Sequence, residues 1–174
     1  MAIFPMEKED FDKIYSLMEA SFPKDEYKPY RAQKNLLEKP EYKIFVSRRE
    51  DEGDIRGFAA VWDFGFAVYI EHLAVSPQHR NGGIGGKILD EVVEIFGRRL
   101  CLEVEPPETE MARRRIEFYK RHGFFFNDAL FVQPPLAPGQ RSIPLHIMTY
   151  GKPATARELD RINSVLRRKV YVYG

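Results

Sequence analysis

One stretch of ten residues combines a cation with four glycines, at the point where a strand-like pattern gives way to a helix-like one. It reads Gln78-His79-Arg80-Asn81-Gly82-Gly83-Ile84-Gly85-Gly86-Lys87. Glycine allows a positive φ and lets another group approach the main chain closely. A helix that begins here has unpaired amides in its first turn, with the positive end of its dipole behind them. This chemistry suits a phosphate group held by backbone amides; the alternative is a turn that only caps the helix.

The segments on either side of this stretch predict how it is positioned. Residues Phe66 to Val75 form an apolar run that predicts a strand. After the glycines, apolar residues recur at helical spacing and predict an amphipathic helix: Ile84, Ile88, Leu89, Val92, Val93 and Phe96. A strand, a glycine-rich loop and a helix in this order favour an anion site over a simple cap.

The pattern differs from two common phosphate-binding motifs and matches a third. A P-loop needs glycine at Asn81 and a hydroxyl at Ile88, and the spacing is also wrong for a dinucleotide fingerprint. The pattern that fits is R-x-x-G-x-G, filled by Arg80, Gly83 and Gly85 and preceded by the run Leu73-Ala74-Val75-Ser76-Pro77. It resembles the acyl-CoA-binding motif of the GNAT superfamily of N-acyltransferases. The resemblance implies that the CoA-binding residues are Leu73, Ala74, Val75, Arg80, Asn81, Gly82, Gly83, Ile84, Gly85, Gly86 and Lys87.

A second motif supports the same resemblance. The run from Phe118-Tyr119 to Gly123-Phe124 has the form F-Y-x-x-x-G-F, which the family shows after its second parallel strand. The resemblance implies that Tyr119 is the acid that protonates the departing CoA thiolate. Core packing with a bonded hydroxyl is the alternative for this tyrosine. Pro106-Pro107 departs from the Asn-x-x-Ala pattern often seen between the motifs, and this leaves the acceptor open.

Two glutamates lie in segments that are otherwise apolar and strand-like. A carboxylate in such surroundings loses solvation, so Glu71 and Glu103 are expected to pair with an arginine or to serve as the catalytic base. The position of Glu103 resembles that of the base in some protein-acetylating members of the family. His72 ranks behind both glutamates, because strand alternation predicts that it lies on the opposite face from Glu71.

Several other side chains have a structural reading beside a functional one. Tyr27 and Tyr30 are candidates for acceptor contacts or for aromatic packing. The run from Arg113 to Arg115 predicts a solvated helix face, with contact to the CoA 3′-phosphate as the alternative. Cys101, the one cysteine, is expected to be a packed thiol rather than a nucleophile.

The composition restricts the class of protein. The 174 residues are 44% hydrophobic and 30% charged, with a net charge of +1, so a nucleic-acid partner is not expected. No apolar run approaches the length of a membrane span, and the first twelve residues lack the apolar core of a signal peptide. The single cysteine excludes an internal disulfide and fits a cytoplasmic protein.

The sequence therefore predicts one α/β domain over residues 1–174, with a central mixed, mostly antiparallel sheet, one parallel strand pair and flanking helices. Residues 154–174 add a helix and an edge strand, Val170 to Tyr173, through which a homodimer could form. Residues Gln133 to Arg141 predict a long exposed loop.

The resemblance implies an N-acetyltransferase that uses acetyl-CoA and no metal. Its acceptor would be a primary amine of a small molecule, a peptide or a protein terminus. A non-catalytic acyl-CoA-binding module on the same fold is the alternative.

Overall fold

A seven-stranded sheet flanked by helices is the central feature of the computed structural model, which describes residues 2–49 and 53–172. The strands are β1 (Ile3–Pro5), β2 (Tyr42–Arg48), β3 (Ile55–Asp63), β4 (Val68–Val75), β5 (Leu100–Val104), β6 (Phe124–Gln133) and β7 (Ile143–Tyr150). The helices are α1 (Phe11–Ser21), α2 (Tyr30–Asn35), α3 (Ile84–Phe96), α4 (Glu110–Arg121) and α5 (Ala156–Val165). Short 3₁₀ turns cover Lys8–Asp10, Lys24–Glu26, Leu36–Glu38 and Pro77–His79.

The order of the strands in the sheet is β1-β2-β3-β4-β5-β7-β6. Strands β4 and β5 pair in parallel, and the other neighbouring strands in the described residues pair antiparallel. A parallel pair needs a crossover connection, which α3 supplies between β4 and β5. The predicted α/β fold, with a mixed sheet and one parallel pair, is confirmed.

Each face of the sheet is covered by its own apolar layer. On one face, Met18 of α1 and Ile162 of α5 pack in a cluster with Trp62 of β3. On the other face, Ile88 of α3 packs in a cluster with Leu100 of β5. Because both faces are covered, the sheet is rigid up to the ends of its strands, where a site can be held in place.

Helix α3 begins and ends as the sequence predicts. Gly83 precedes it with a φ of +72° and Gly97 follows it with a φ of +55°. Glycine adopts this left-handed conformation without steric cost, so the helix boundaries are set locally. None of the helices in residues 2–49 and 53–172 is both long and apolar enough to cross a membrane.

The predicted edge strand from Val170 to Tyr173 is wrong where the structure describes it. Helix α5 continues into a π-helical turn over Leu166–Val170, and Tyr171 and Val172 follow as a bend. Tyr173 lies outside the described residues. Leu166, Val170 and Tyr171 are buried against the sheet, so this segment packs inward because it is apolar. The homodimer stays a prediction, now without the edge strand that suggested it.

The predicted exposed loop from Gln133 to Arg141 is only partly exposed. Leu136 and Ala137 are buried, and Gln140 donates from Nε2 to the carbonyl oxygen of Lys24 at 2.8 Å. The loop therefore packs against the turn that follows α1. The prolines and the glycine that suggested an exposed loop indicate where a chain turns, but they do not indicate what covers it.

Candidate active site

Strands β4 and β5 separate before either strand ends. Their pairing runs from Val68 opposite Leu100 to Ile70 opposite Leu102 and then stops, although β4 continues to Val75. A cleft opens between them, called here the interstrand cleft. Its polar and ionisable lining residues are Glu26, Tyr69, Glu71, His72, Glu103, Glu105, Arg115, Tyr119 and Gln133.

The residues from 78 to 87, called here the glycine loop, connect the end of β4 to α3. Asn81 and Gly83 have φ values of +67° and +72°. The hydrogen bond from the Lys87 amide to the Gly83 carbonyl, 3.1 Å long, closes the first helical turn. The amides before Lys87 in that turn have no helical acceptor, as at any helix start. They are available to an anion.

The glycines of this loop have different roles. A Cβ on Gly85 would lie 3.4 Å from Cγ2 of Val75, which is an ordinary contact. A Cβ on Gly86 would lie 2.7 Å from Cε1 of His122, so Gly86 is needed for the packing of α4 against α3. Arg80 is exposed, and its Nε donates to the Val75 carbonyl oxygen at 3.2 Å. A cation, unpaired amides and open backbone together fit a diphosphate.

Glu103 is held by two tyrosines. Its Oε1 accepts a hydrogen bond of 2.7 Å from the Tyr69 hydroxyl and a short one from the Tyr171 hydroxyl. Burial raises the pKa of Glu103 to about 7; the two hydrogen bonds lower the pKa and the charge of Glu71 raises it further. In the described residues no arginine pairs with this carboxylate, so the ion-pair alternative fails here.

Glu71 and His72 lie on the same side of the sheet, contrary to the prediction from strand alternation. Ala60 lies opposite His72 and the next residue, Val61, lies opposite Ile70, so Glu71 is the extra residue of a β-bulge. The bulge resets the alternation, and both side chains line the interstrand cleft. Glu71 accepts a hydrogen bond of 2.8 Å from Trp62 Nε1. Within the described residues it too has no arginine partner.

Tyr119 of α4 reaches the interstrand cleft from the other side of the opening. Its ring packs on Phe118 and Phe124, with centroid distances of 5.2 and 5.9 Å. Its hydroxyl has no hydrogen-bond partner among the described residues. Burial raises the pKa of Tyr119, an effect that the charge of Arg115 partly offsets. The hydroxyl therefore keeps its proton at neutral pH and can donate it.

Comparison with known proteins shows the family. The sequence matches the model of the acetyltransferase (GNAT) family over residues 11–124, more than half of the chain. This chain belongs to the GNAT family of acetyltransferases. Members of the family use acetyl-CoA.

Solved and curated relatives agree with this membership. A proposed GNAT-family acetyltransferase from Bacteroides thetaiotaomicron is 31% identical, with a TM-score of 0.86 over 98% of both chains. A protein from Bacillus subtilis, proposed to be a [ribosomal protein bS18]-alanine N-acetyltransferase, is 29% identical over 111 residues, which are 59% of this chain and 69% of that protein. A proposed acetyltransferase from Salmonella typhimurium, solved with acetyl-CoA, shares the fold with a TM-score of 0.63 and 19% identity, over 90% of this chain and 96% of that one.

The interstrand cleft also contains ionisable residues that the sequence did not reveal. Glu26, on the turn after α1, lies close to Glu105, which follows β5. Burial, followed by a hydrogen bond shared with Glu105, raises the pKa of Glu26 to about 7, and Arg115 opposes the rise. Arg115 is exposed on α4, as predicted for a solvated helix face, and it also lines this cleft. No motif marks these three residues, because the tertiary fold alone brings them together.

The C-terminal segment also contacts a residue of the interstrand cleft. Tyr171 bonds to Glu103, and the Val172 carbonyl accepts a hydrogen bond of 2.7 Å from the buried Nζ of Lys28. Tyr27 and Tyr30 instead pack around Tyr15, with centroid distances of 5.9 and 5.2 Å. The sequence pattern predicts an edge strand over Val170 to Tyr173, and nothing in it indicates that Tyr171 contacts Glu103.

Proposed function

We propose that this enzyme transfers the acetyl group of acetyl-CoA to a primary amine of a small molecule, a peptide or a protein terminus, by direct attack while both substrates are bound. The observation that carries the proposal is the interstrand cleft, which brings the end of β4 beside Glu103 and Tyr119. The names of relatives support an amine acceptor. They include [ribosomal protein bS18]-alanine N-acetyltransferase and, from Vibrio cholerae, spermidine N-acetyltransferase.

The glycine loop and the end of β4 serve the acetyl donor. Acetyl-CoA, when bound, supplies an acetyl group activated as a thioester. The amides of residues 82–86 and Arg80 hold its diphosphate. The Ser76 amide donates to the Arg56 carbonyl of β3, so the Val75 amide before it faces the opposite edge, where β5 has separated. That amide can stabilise negative charge on the thioester oxygen.

Glu103 serves the acceptor. An aliphatic amine is protonated at neutral pH and must lose a proton before it can attack. The pKa of Glu103, raised to about 7, leaves the carboxylate partly ionised at neutral pH and basic enough to accept that proton. The hydroxyls of Tyr69 and Tyr171 hold Oε1 in place, which makes them positioning residues. The acid limb of the pH profile should therefore lie near pH 7, with the rate rising as pH rises.

Tyr119 serves the leaving group. Its hydroxyl lines the same cleft, carries its proton at neutral pH and has no competing partner among the described residues. It can protonate the thiolate that leaves as the amide bond forms.

The test is the release of free thiol from acetyl-CoA in the presence of a panel of amines and N-terminal peptides. With the best acceptor of the panel, kcat/KM is then measured against pH for Glu103→Gln and for the matched variant Glu71→Gln. Both changes preserve shape and remove a charge. Glu103→Gln should lower kcat/KM by about 10²–10⁴ at neutral pH, and the deficit should shrink as rising pH deprotonates the free amine.

Two results would contradict the proposal. If no amine or peptide releases thiol above the rate of hydrolysis, the acceptor class is wrong. If an acceptor is found and the Glu103→Gln profile overlays that of the wild type, Glu103 is not the base.

A further inference from the structure

The hydrogen bond of His72 defines which of its ring nitrogens carries the proton. Nε2 lies 2.8 Å from the carbonyl oxygen of Glu26, and a carbonyl can only accept. Nε2 therefore donates, and Nδ1 of the neutral ring presents a lone pair. The side chain is only 2% exposed.

Nδ1 of His72 is buried without a hydrogen-bond partner among the described residues. It lies 4.0 Å from Oε2 of Glu71, too far for a hydrogen bond between them. Two acceptors at this separation can both receive bonds of about 2.8–3.0 Å from a single donor group placed between them. A buried acceptor without a donor is costly, so the site is built for a group with at least two N–H or O–H bonds.

The surroundings of the pair favour a cation as that group. Glu71, Glu103, Glu26 and Glu105 line the interstrand cleft, where Arg115 is the one lining residue in the described part of the chain with a permanent positive charge. The cleft therefore attracts an ammonium ion more strongly than a neutral amide or alcohol.

The need for N–H donors and the side closed by Phe22 favour an unsubstituted ammonium group. The Phe22 ring packs against the His72 ring with a centroid distance of 4.8 Å, and it closes one side of the site. A primary ammonium ion offers three N–H donors on a small nitrogen. A quaternary one offers none and is larger.

We propose that Nδ1 of His72 and Oε2 of Glu71 together bind the amino group of the acceptor as a primary ammonium ion, an inference that rests on the proposed acetyl transfer to an amine. The β-bulge at Glu71 is what makes this possible, because regular alternation would put the two side chains on opposite faces. The pair selects aliphatic primary amines that enter the cleft as cations. Glu103 then removes a proton.

Binding can be tested without a known acceptor. The full chain, labelled with ¹⁵N-histidine, is titrated with ethylammonium chloride and, separately, with tetramethylammonium chloride at equal ionic strength. Ethylammonium should produce a saturable change in the Nδ1 shift of His72, while Nε2 keeps its proton. His122 and His146 are internal controls, since their Nδ1 atoms already lie 2.7 Å from Asp90 Oδ1 and 3.3 Å from the Asn127 oxygen.

Equal changes with both cations, or no change at His72, would overturn the proposal. This result is independent of catalysis. If no amine in the panel is acetylated but ethylammonium still binds at His72, the proposed function fails and the ammonium site remains.

Two variants of His72 separate ligand binding from a structural role. In His72→Gln the amide nitrogen can still donate to the Glu26 carbonyl, while the Nδ1 lone pair is lost. In His72→Asn the side-chain oxygen replaces Nδ1, while the bond to Glu26 is lost. If Nδ1 binds the ammonium, His72→Gln should raise KM for the best acceptor by about 10- to 100-fold, the loss of one hydrogen bond to a charged group.

The Asn variant should raise the acceptor KM less, and both variants should leave the KM for acetyl-CoA unchanged. The reverse order, with Gln close to the wild type and Asn impaired, would show that His72 acts only by holding the Glu26 turn. If thermal melting shows that either variant is unfolded, the ¹⁵N titration of the wild-type chain alone decides whether His72 binds the ammonium ion.

Discussion

The glycine loop and the interstrand cleft are the two halves of the site, and they are built in opposite ways. The loop is one continuous stretch of ten residues whose binding groups are mostly main-chain amides on an exposed turn. The cleft draws its ionisable groups from five separate parts of the chain, between Glu26 and Tyr171. Most of those groups are buried or half-buried side chains, and burial raises the pKa of both Glu26 and Glu103 to about 7.

This difference predicts two kinds of functional defect in variants of the protein. Under the proposed function, the backbone groups of the loop hold only the acetyl donor, so damage to the loop should weaken the binding of acetyl-CoA. Damage to the cleft should slow acetyl transfer or weaken acceptor binding while acetyl-CoA still binds. A variant that violates this division would show that the two halves are coupled through β4, which connects them.

The largest effect is expected in the cleft, at Tyr119. Tyr119→Phe preserves the ring and its packing and deletes only the hydroxyl. The rate should fall by about 10²–10⁴, nearer the lower value because a thiolate leaves fairly well unaided. Calorimetry should find the affinity for CoA unchanged. Tyr150→Phe makes the same chemical change outside the cleft and should have the activity of the wild type.

Wild-type kcat in Tyr119→Phe, measured where chemistry limits turnover, would assign Tyr119 to core packing alone.

The next effect is expected in the loop, at Gly85. Its Cβ would make only an ordinary contact with Val75, so Gly85→Ala should fold normally and serves as the control. Gly85→Asp adds a negative charge beside a bound diphosphate, at a cost of about 1–4 kcal/mol near a protein surface. We expect a rise in the Kd for CoA of about 10- to 1000-fold over that of Gly85→Ala. Equal affinities in the two folded variants would place the diphosphate elsewhere.

A smaller loss of CoA affinity is expected at Arg80. If its guanidinium makes a charge-assisted bond to phosphate, Arg80→Ala should weaken CoA binding by about 1.5–3 kcal/mol in calorimetry. Arg168→Ala is the matched control, since Arg168 is exposed and its Nε donates to the Ser164 carbonyl oxygen at 3.3 Å, as the Nε of Arg80 does to that of Val75. If the two variants bind CoA alike, Arg80 serves only to fasten the loop to the Val75 carbonyl.

The smallest effect is expected at Tyr171, and it is a change in pH dependence. The hydrogen bond from Tyr171 lowers the pKa of Glu103, so Tyr171→Phe should raise that pKa and move the acid limb of kcat/KM to higher pH. A displacement of about one pKa unit, equivalent to 1.36 kcal/mol, would lower kcat/KM about tenfold on the acid side and little at pH 9.

Glu26 has a pKa in the same range, so Glu26→Gln is the control and should leave the limb in place. If the acid limb does not move in Tyr171→Phe, the acid limb does not report the ionisation of Glu103.

The two wrong predictions and the cleft residues that the sequence did not reveal have the same cause, which is that tertiary contacts decided them. Strand alternation predicted His72 on the face opposite Glu71, but one extra residue in β4 changed the face. The segment after Val165 has the apolar residues of a strand, yet it continues as a helical turn. Its apolar side chains pack against one face of the sheet instead of pairing at its edge. Glu26 and Arg115 were not identified as cleft residues, since nothing near them in the sequence marks a cleft.

The sequence by itself determined the glycine loop: Arg80, the glycines and the helix from Ile84 to Phe96 follow from local rules. A positive φ, a helix start and an apolar face of period 3.6 all depend on residues within a few positions of each other. The tertiary structure alone decided the interstrand cleft. The pKa of Glu103 rises to about 7 only through burial, in a pocket where one of its hydrogen-bond partners, Tyr171, lies 68 residues away in the sequence. Solvation and the electrostatic field at a side chain depend on everything packed around it, and no local pattern records that.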